Sequence, residues 1–133
     1  MFSGKTVVIT GASSGLGAAL ASAVAAEGAN LALMGRDARK LGSVAENCRS
    51  SGVGVVEVAG DVVDLADCER LLAAAREEFG AIDYLVLNAG VSMRARFEEV
   101  DDPEIFSKLM DTNYLGVVNC VYHGLDALKE SGG

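Results

Sequence analysis

The hydrophobic residues of this chain fall into two patterns, short continuous runs and stripes of helical period. The runs are rich in valine, isoleucine and leucine, which predicts buried β-strands. They lie at residues 5–10 (KTVVIT), 30–34 (NLALM), 53–59 (VGVVEVA) and 82–87 (IDYLVL). The stripes begin at Leu16, Leu41 and Leu65 and predict helices, of which the first and third are closed by Gly28 and Gly80.

A fourth stripe follows Asp102 and Pro103, a pair that suits the N-cap and the first position of a helix. Its apolar positions continue through Ile105 and Val117 to about Leu128, which predicts one uninterrupted helix. The order of elements is therefore βαβαβαβα. This order is typical of a parallel sheet that is covered by helices on both faces.

We therefore predict an α/β fold, a doubly wound, Rossmann-type parallel sheet in three αβα layers, of which this sequence provides the first four strands. Residues 1–133 are expected to form a single domain. A fifth strand would come next in this pattern, and the sequence ends before it. We expect the outer edge of the fourth strand and part of one helix face to be uncovered.

Charge and hydropathy exclude several classes of partner. The formal net charge is −8, and an acidic surface repels the phosphate backbone of a nucleic acid. The apolar run from Val7 to Ile9 is too short for a signal peptide, and no run reaches the roughly 18 apolar residues of a membrane span. The sequence thus predicts a cytoplasmic protein that binds neither nucleic acid nor membrane.

The three cysteines, Cys48, Cys68 and Cys120, are far apart and lie in segments of helical period. The sequence contains no C-x-x-C pair and no Cys/His cluster, so its cysteines indicate neither a zinc site nor a disulfide framework. Free cysteine is among the most frequently buried residues. We predict three buried thiols and no metal site.

Residues 10–17 read TGASSGLG and lie between the first predicted strand and the first predicted helix. A pyrophosphate needs bare backbone N–H groups and a helix N-terminus that points at it, and serine hydroxyls add further donors. A tight turn without a ligand would need glycine only where φ is positive, and the three glycines and two serines of this stretch exceed that need. The predicted phosphate contacts are Gly11, Ser13, Ser14, Gly15, Leu16 and Gly17.

This stretch resembles the TGxxxGxG motif of the short-chain dehydrogenase/reductase (SDR) family. Three further segments resemble motifs of that family in the same order, so the resemblance covers nearly the whole chain. Asp61 and Val62 resemble the pair beside the adenine ring, although Asp61 also suits an ordinary turn. Residues 88–90 resemble the end of the NNAG motif, with Leu87 in place of its first asparagine. The resemblance implies cofactor contacts at Asn88, Ala89 and Gly90.

The last motif is N-x-x-G, which residues 113–116 resemble with Asn113 as the asparagine. In the family this residue supports a proton relay, so the resemblance implies a catalytic role for Asn113. An asparagine inside a helix otherwise tends to face solvent.

The end of the second strand selects the cofactor. In this fold an acidic residue there binds the ribose 2′-hydroxyl of NAD, and a nearby arginine accommodates the 2′-phosphate of NADP. Here Gly35 stands at the strand end and Arg36 follows it, so Arg36 is the predicted 2′-phosphate ligand, with a solvated arginine as the alternative. Asp37 is predicted to be the N-cap of the following helix, and it is close enough to the strand end to keep NAD(H) as an alternative cofactor. The predicted cofactor is NADP(H).

The resemblance implies hydride transfer between nicotinamide and a small carbonyl or alcohol substrate, in a complete enzyme that forms homo-oligomers. The family relies on a serine and a Tyr-x-x-x-Lys pair. No lysine follows Tyr84, Tyr114 or Tyr122 by four residues, and His123 is interpreted as a packed or surface histidine. We therefore expect the cofactor-binding half of a reductase that is inactive alone.

Two other functions are considered. A non-catalytic dinucleotide-binding module would keep the fold without the chemistry. A methyltransferase on a similar sheet is disfavoured by the glycine spacing and by residues 88–90.

Overall fold

A computed structural model describes residues 1–133, and it contains one sheet of four parallel strands. The strands are β1 (Thr6–Thr10), β2 (Asn30–Gly35), β3 (Val55–Ala59) and β4 (Tyr84–Leu87). Their order across the sheet is β3-β2-β1-β4, and in register Val8 lies opposite Ala32 of β2 and Leu85 of β4. β1 and β2 are therefore central, and β3 and β4 form the edges.

The helices cover both faces of the sheet. They are α1 (Gly15–Ala26), α2 (Ala38–Arg49), α3 (Leu65–Phe79), α4 (Glu104–Met110) and α5 (Gly116–Ser131), with a single 3₁₀ turn at Phe97–Glu99. Residues from α1 and α2 form a core cluster on one face, and residues from α3 and α5 form a second cluster on the other. The structure thus confirms the doubly wound, Rossmann-type α/β fold.

The strand β1 shows why both faces are apolar. Successive side chains of a strand point to opposite faces, so Val7 and Ile9 join the α1–α2 core while Val8 joins the α3–α5 core. All three are essentially inaccessible to solvent. A strand buried on both faces needs a continuous apolar run, and this requirement produces the run that predicts β1 in the sequence.

Two predicted helix boundaries are confirmed, and two other boundaries are shifted. Asp37 caps α2 by accepting from the N–H of Lys40 at 3.0 Å. α4 begins one residue later than predicted, with Pro103 rather than Asp102 as its N-cap, and the Asp102 carboxylate accepts from the N–H of Glu104 at 2.9 Å. Gly80 ends α3 with a φ of +79°, a left-handed conformation that favours glycine. Strand β4 starts two residues later than the pattern indicates, at Tyr84, and the carboxylate of the preceding Asp83 accepts from the N–H of Thr6 at 2.8 Å.

The predicted last helix runs without a gap from Glu104 to Ser131, but it is not uniformly α-helical. α4 and α5 are joined by a π-helical turn at Asp111–Leu115, where the helix widens by one residue per turn. The stripe of apolar residues passes through this turn without a break, so hydrophobic periodicity does not reveal it. The helix also continues to Ser131, beyond the predicted end near Leu128. No helix of the chain is both long and apolar enough to span a membrane.

All three cysteines are free, and each is fully buried, as predicted. The sulfur atoms of Cys68 on α3 and Cys120 on α5 lie 3.5 Å apart. Burial raises the pKa of the Cys48, Cys68 and Cys120 thiols, which disfavours the reactive thiolate.

We expect these thiols to be silent in the folded chain. Ellman's reagent should release no chromophore from the native protein within minutes, because the thiolate is both shielded and disfavoured. After guanidinium chloride is added, the absorbance should correspond to three thiols per chain. Rapid reaction of any thiol before denaturation would contradict the packing of α3 and α5 described above.

Candidate functional site

A cavity of about 230 Å³ opens at the carboxyl ends of the strands. Every strand contributes to it through its last residues or the loop that follows, because parallel strands all end at the same edge of the sheet. Most of the predicted site residues line it, namely Gly11, Ser13, Ser14, Arg36, Asp61, Val62, Asn88, Ala89 and Gly90. The sequence prediction missed the other lining residues, Met34, Gly35, Gly60, Val91 and Thr112.

The turn between β1 and α1 presents unused donors to this cavity. None of the N–H groups from Ser13 to Gly17 donates to a backbone carbonyl of the chain, and of these five residues Ser13 and Ser14 line the cavity. The N-cap residue, Ser14, makes no capping hydrogen bond with its side chain, so its hydroxyl is also free. With the positive end of the α1 dipole behind them, these groups form a site that suits an anion such as a pyrophosphate.

The glycines of the turn have different roles. Gly11 and Gly15 have positive φ angles of 65° and 54°, so they shape the turn. Gly17 does not line the cavity and is buried behind the turn, where an added Cβ would overlap the carbonyl oxygen of Gly11. Gly15 and Leu16 also lie outside the lining, and the Leu16 side chain is exposed.

Asn88 holds the glycine-rich turn in place. Its side-chain amide donates to the carbonyl oxygens of Thr10 and Gly11, both at 3.3 Å. The N–H of the next residue, Ala89, donates to the Thr10 hydroxyl at 3.1 Å. An added Cβ on Gly11 would lie 2.8 Å from the Ala89 Cα, so these two strand ends pack in direct backbone contact.

After β2 lie the two charged side chains that could select the cofactor, Asp37 and Arg36, and only the first is already bonded within the chain. The Asp37 carboxylate is engaged in capping α2, and the hydrogen bond from Lys40 N–H lowers its pKa. The Arg36 side chain is exposed at the cavity and takes part in no hydrogen bond or ion pair within the chain. Gly35 packs so closely on Ser13 that an added Cβ would lie 2.8 Å from the Ser13 Cβ. An acidic side chain at position 35 would therefore collide with Ser13.

The turn after β3 places Asp61 and Val62 on another wall. One oxygen of Asp61 accepts from the N–H of Val63 at 3.2 Å, so this aspartate does contribute turn chemistry as well as lining the cavity. The carbonyl oxygen of Val62 accepts from the side chain of Asn119 at 2.8 Å. Sequence reasoning missed Asn119, because its position six residues after Asn113 carries no signal until α5 packs behind this turn.

Asn113 lies in the π-helical turn and is bonded to the loop after β4. Its oxygen accepts from the N–H of Val91 at 2.8 Å, and its amide nitrogen donates to the carbonyl of Val91 at 2.7 Å. The side chain is therefore held by the backbone, but Asn113 is exposed and does not line either cavity. Its neighbour Thr112 lines the cavity, so the wide turn brings α4 and α5 against the site.

A second cavity, of about 400 Å³, adjoins the first and shares Arg36, Asp61, Val91 and Thr112 with it. Its outer wall is α4, which contributes Ile105, Lys108 and Leu109. α4 thus lies beside the cavity that the glycine-rich turn lines. No group of three or more His, Cys, Asp or Glu side chains is arranged to hold a metal ion.

Comparison with known proteins identifies the family. The family model described as short chain dehydrogenase matches residues 5–133. The chain belongs to the short-chain dehydrogenase family. Among its relatives, an 11-beta-hydroxysteroid dehydrogenase of Pinus massoniana is 39% identical over 131 residues, which are 98% of this chain and 37% of that protein. The chain thus spans well under half of the length of that relative.

Solved structures of other short-chain dehydrogenases share the fold. An alcohol dehydrogenase of Thermococcus sibiricus, complexed with 5-hydroxy-NADP, is 38% identical with a TM-score of 0.91, over 97% of this chain and 55% of that one. A short chain dehydrogenase of Mycobacterium paratuberculosis, bound to NAD, is 26% identical with a TM-score of 0.92, over 98% of this chain and 53% of that one. Structures of this shape therefore hold both kinds of nicotinamide cofactor.

Proposed function

We propose that this chain is the cofactor-binding part of an NADP(H)-dependent oxidoreductase that transfers hydride between nicotinamide and a carbonyl or alcohol substrate. The observation that carries the proposal is that one cavity is lined by two sets of hydrogen-bond donors that have no partner within the chain. The free N–H groups of Ser13 and Ser14, in the turn before α1, suit a pyrophosphate, and the unpaired guanidinium of Arg36 suits a second phosphate. A dinucleotide with a 2′-phosphate has both groups.

The remaining residues fit the rest of such a cofactor. Asp61 and Val62 would contact the adenine, and the Val62 N–H makes no hydrogen bond to a backbone carbonyl of the chain. Asn88, Ala89 and Gly90 would let the backbone approach the cofactor closely, while Asn113 holds the loop beside them through Val91. When bound, the cofactor supplies or accepts the hydride. The residues of this chain bind and orient it.

Residues 1–133 are proposed to act as one cofactor-binding unit, with NAD(H) as the alternative cofactor and a non-catalytic dinucleotide module as the alternative function. We also propose a cytoplasmic location, which the three free thiols favour because reducing compartments keep cysteines unpaired. For the complete enzyme we propose a homo-oligomer, which the exposed apolar side chains on α5 favour, namely Val118, Val121, Tyr122 and Leu125.

Cofactor titration tests the proposal. We expect NADPH to bind the chain at one site per molecule and more tightly than NADH, with binding followed by the change in nicotinamide fluorescence and by calorimetry. S-adenosylmethionine serves as the control for the methyltransferase alternative and should not bind. Failure of both NADPH and NADH to bind would overturn the proposed function.

A turnover assay tests whether residues 1–133 are sufficient for catalysis. With a panel of carbonyl substrates, we expect the 133-residue chain to oxidise no NADPH, because its sequence contains no Tyr-x-x-x-Lys pair to move the proton. The measurement is the loss of absorbance of the reduced nicotinamide. Turnover by this chain would show that another of its residues acts as the acid.

A further inference from the structure

We propose that Asp67 is a positioning residue for dinucleotide binding, because it fixes the β3–α3 turn in the conformation that presents Asp61 and Val62 to the cavity. The inference rests on the proposed function. Asp67 itself does not line either cavity. It acts from the first turn of α3, behind the wall that the cofactor would contact.

The two carboxylate oxygens of Asp67 have separate partners. One oxygen accepts from the backbone N–H of Asp61 at 2.9 Å, and the other pairs with the guanidinium of Arg70 on the same helix. The side chain of Asp67 is only 20% exposed, so water competes weakly for these bonds. The hydrogen bond from Arg70, followed by that from the Asp61 N–H, lowers the pKa of Asp67 and keeps it charged at neutral pH.

Gly60 makes room for this contact. An added Cβ on Gly60 would lie 2.8 Å from the Asp67 carboxylate oxygen that accepts from Asp61. Arg70 also donates to the carbonyl oxygen of Ala59, the last residue of β3, at 3.3 Å. The pair of Asp67 and Arg70 therefore ties the end of the strand to the first two residues of the turn.

The turn is thus fixed from two sides by contacts within the chain. Asp67 holds it at Asp61, and Asn119 of α5 holds it at the carbonyl of Val62, where Gly116 also packs on the Val62 side chain. A site that is ordered before binding loses less conformational entropy when the ligand arrives. Removing Asp67 should therefore weaken binding of the adenosine half of the cofactor, even though Asp67 does not touch it.

The test compares Asp67→Ala with Asp64→Ala in the full chain, using NADPH and adenosine 2′,5′-bisphosphate as probes. Asp64 is a matched control because it caps the same helix, accepting from the N–H of Ala66 at 2.9 Å, and holds no cavity residue with its side chain. We expect Asp67→Ala to weaken both probes by the same factor, about tenfold, since the partly buried Asp61 N–H loses its charged acceptor. Asp64→Ala should leave both affinities unchanged.

The conservative variant separates positioning from general stability. Asp67→Asn keeps an oxygen that can accept from the Asp61 N–H, so it should restore most of the affinity for both probes. Circular dichroism checks that each variant is folded, and Asp67→Ser replaces Asp67→Ala if the alanine variant is not. If the wild-type chain binds NADPH and Asp67→Ala binds it as tightly as Asp64→Ala does, the inference about Asp67 is overturned while the proposed function stands. A wild-type chain that binds no NADPH would overturn the proposed function beneath it.

Discussion

The Gly17→Ala variant is expected to lose NADPH binding by more than about a hundredfold and to unfold at a clearly lower denaturant concentration. The added methyl group would overlap the carbonyl oxygen of Gly11 and would lie 2.7 Å from the side-chain amide nitrogen of Asn88. Gly11 is itself packed on the backbone of Ala89, so neither neighbour has room to withdraw. The variant must open the β1–α1 turn to fold at all.

The reason for the large effect is that one contact serves both stability and binding. Overpacking a tight site costs about 1–3 kcal/mol of folding free energy. Moving the turn also misaligns the free N–H groups of Ser13 and Ser14, which the proposed pyrophosphate site needs together. Guanidinium unfolding followed by circular dichroism measures the first effect, and NADPH titration measures the second.

Gly15→Ala is the matched control in the same turn. Gly15 has a φ of +54°, but nothing lies within 4 Å of an added Cβ, so alanine there adds only backbone strain of about 1–2 kcal/mol. We expect a smaller loss of stability and a chain that still binds NADPH measurably. Equal losses of stability and of NADPH binding in the two variants would show that glycine is needed at position 17 for backbone flexibility and not for close packing.

The fold was largely predictable because its strands are buried on both faces. Residues 30–34 form a continuous apolar run that is flanked by helical stripes, and such a run fits few structures other than a buried strand. The π-helical turn at residues 111–115 was not predictable, because its dihedral angles and its apolar spacing remain nearly helical. Its effect appears only in three dimensions, where it places Asn113 against Val91.

The candidate site was predictable where residues directly follow a strand. Residues such as Asp61 and Asn88 meet at one sheet edge because all four strands are parallel, so sequence position determines their location. Residues that act through packing were missed. Asp67 and Asn119 reach the site from α3 and α5, and their contacts depend on how those helices lie on the sheet. Gly17 was assigned to the right turn, but the structure places it behind the proposed ligand site.

Arg36→Asp is expected to separate the two cofactors more sharply than any other single change. Its side chain is exposed at the cavity and unpaired, so its removal breaks no hydrogen bond or ion pair within the chain. A hydrogen bond to a charged group is worth about 1.5–3 kcal/mol, and the new carboxylate would also repel a 2′-phosphate. NADPH binding should therefore weaken by about a hundredfold or more, while NADH, which lacks that phosphate, should bind within about threefold of wild type.

The matched control for this prediction is Arg39→Asp, which makes the same change of charge on the first turn of α2 and outside both cavities. It should weaken NADPH only slightly, because exposed charges act weakly over such distances and salt screens them. Titrations of both variants with NADPH and NADH, at low and physiological salt, measure the four affinities. If Arg36→Asp weakened NADPH and NADH equally, or no more than Arg39→Asp does, Arg36 would not be the 2′-phosphate ligand and NAD(H) would become the favoured cofactor.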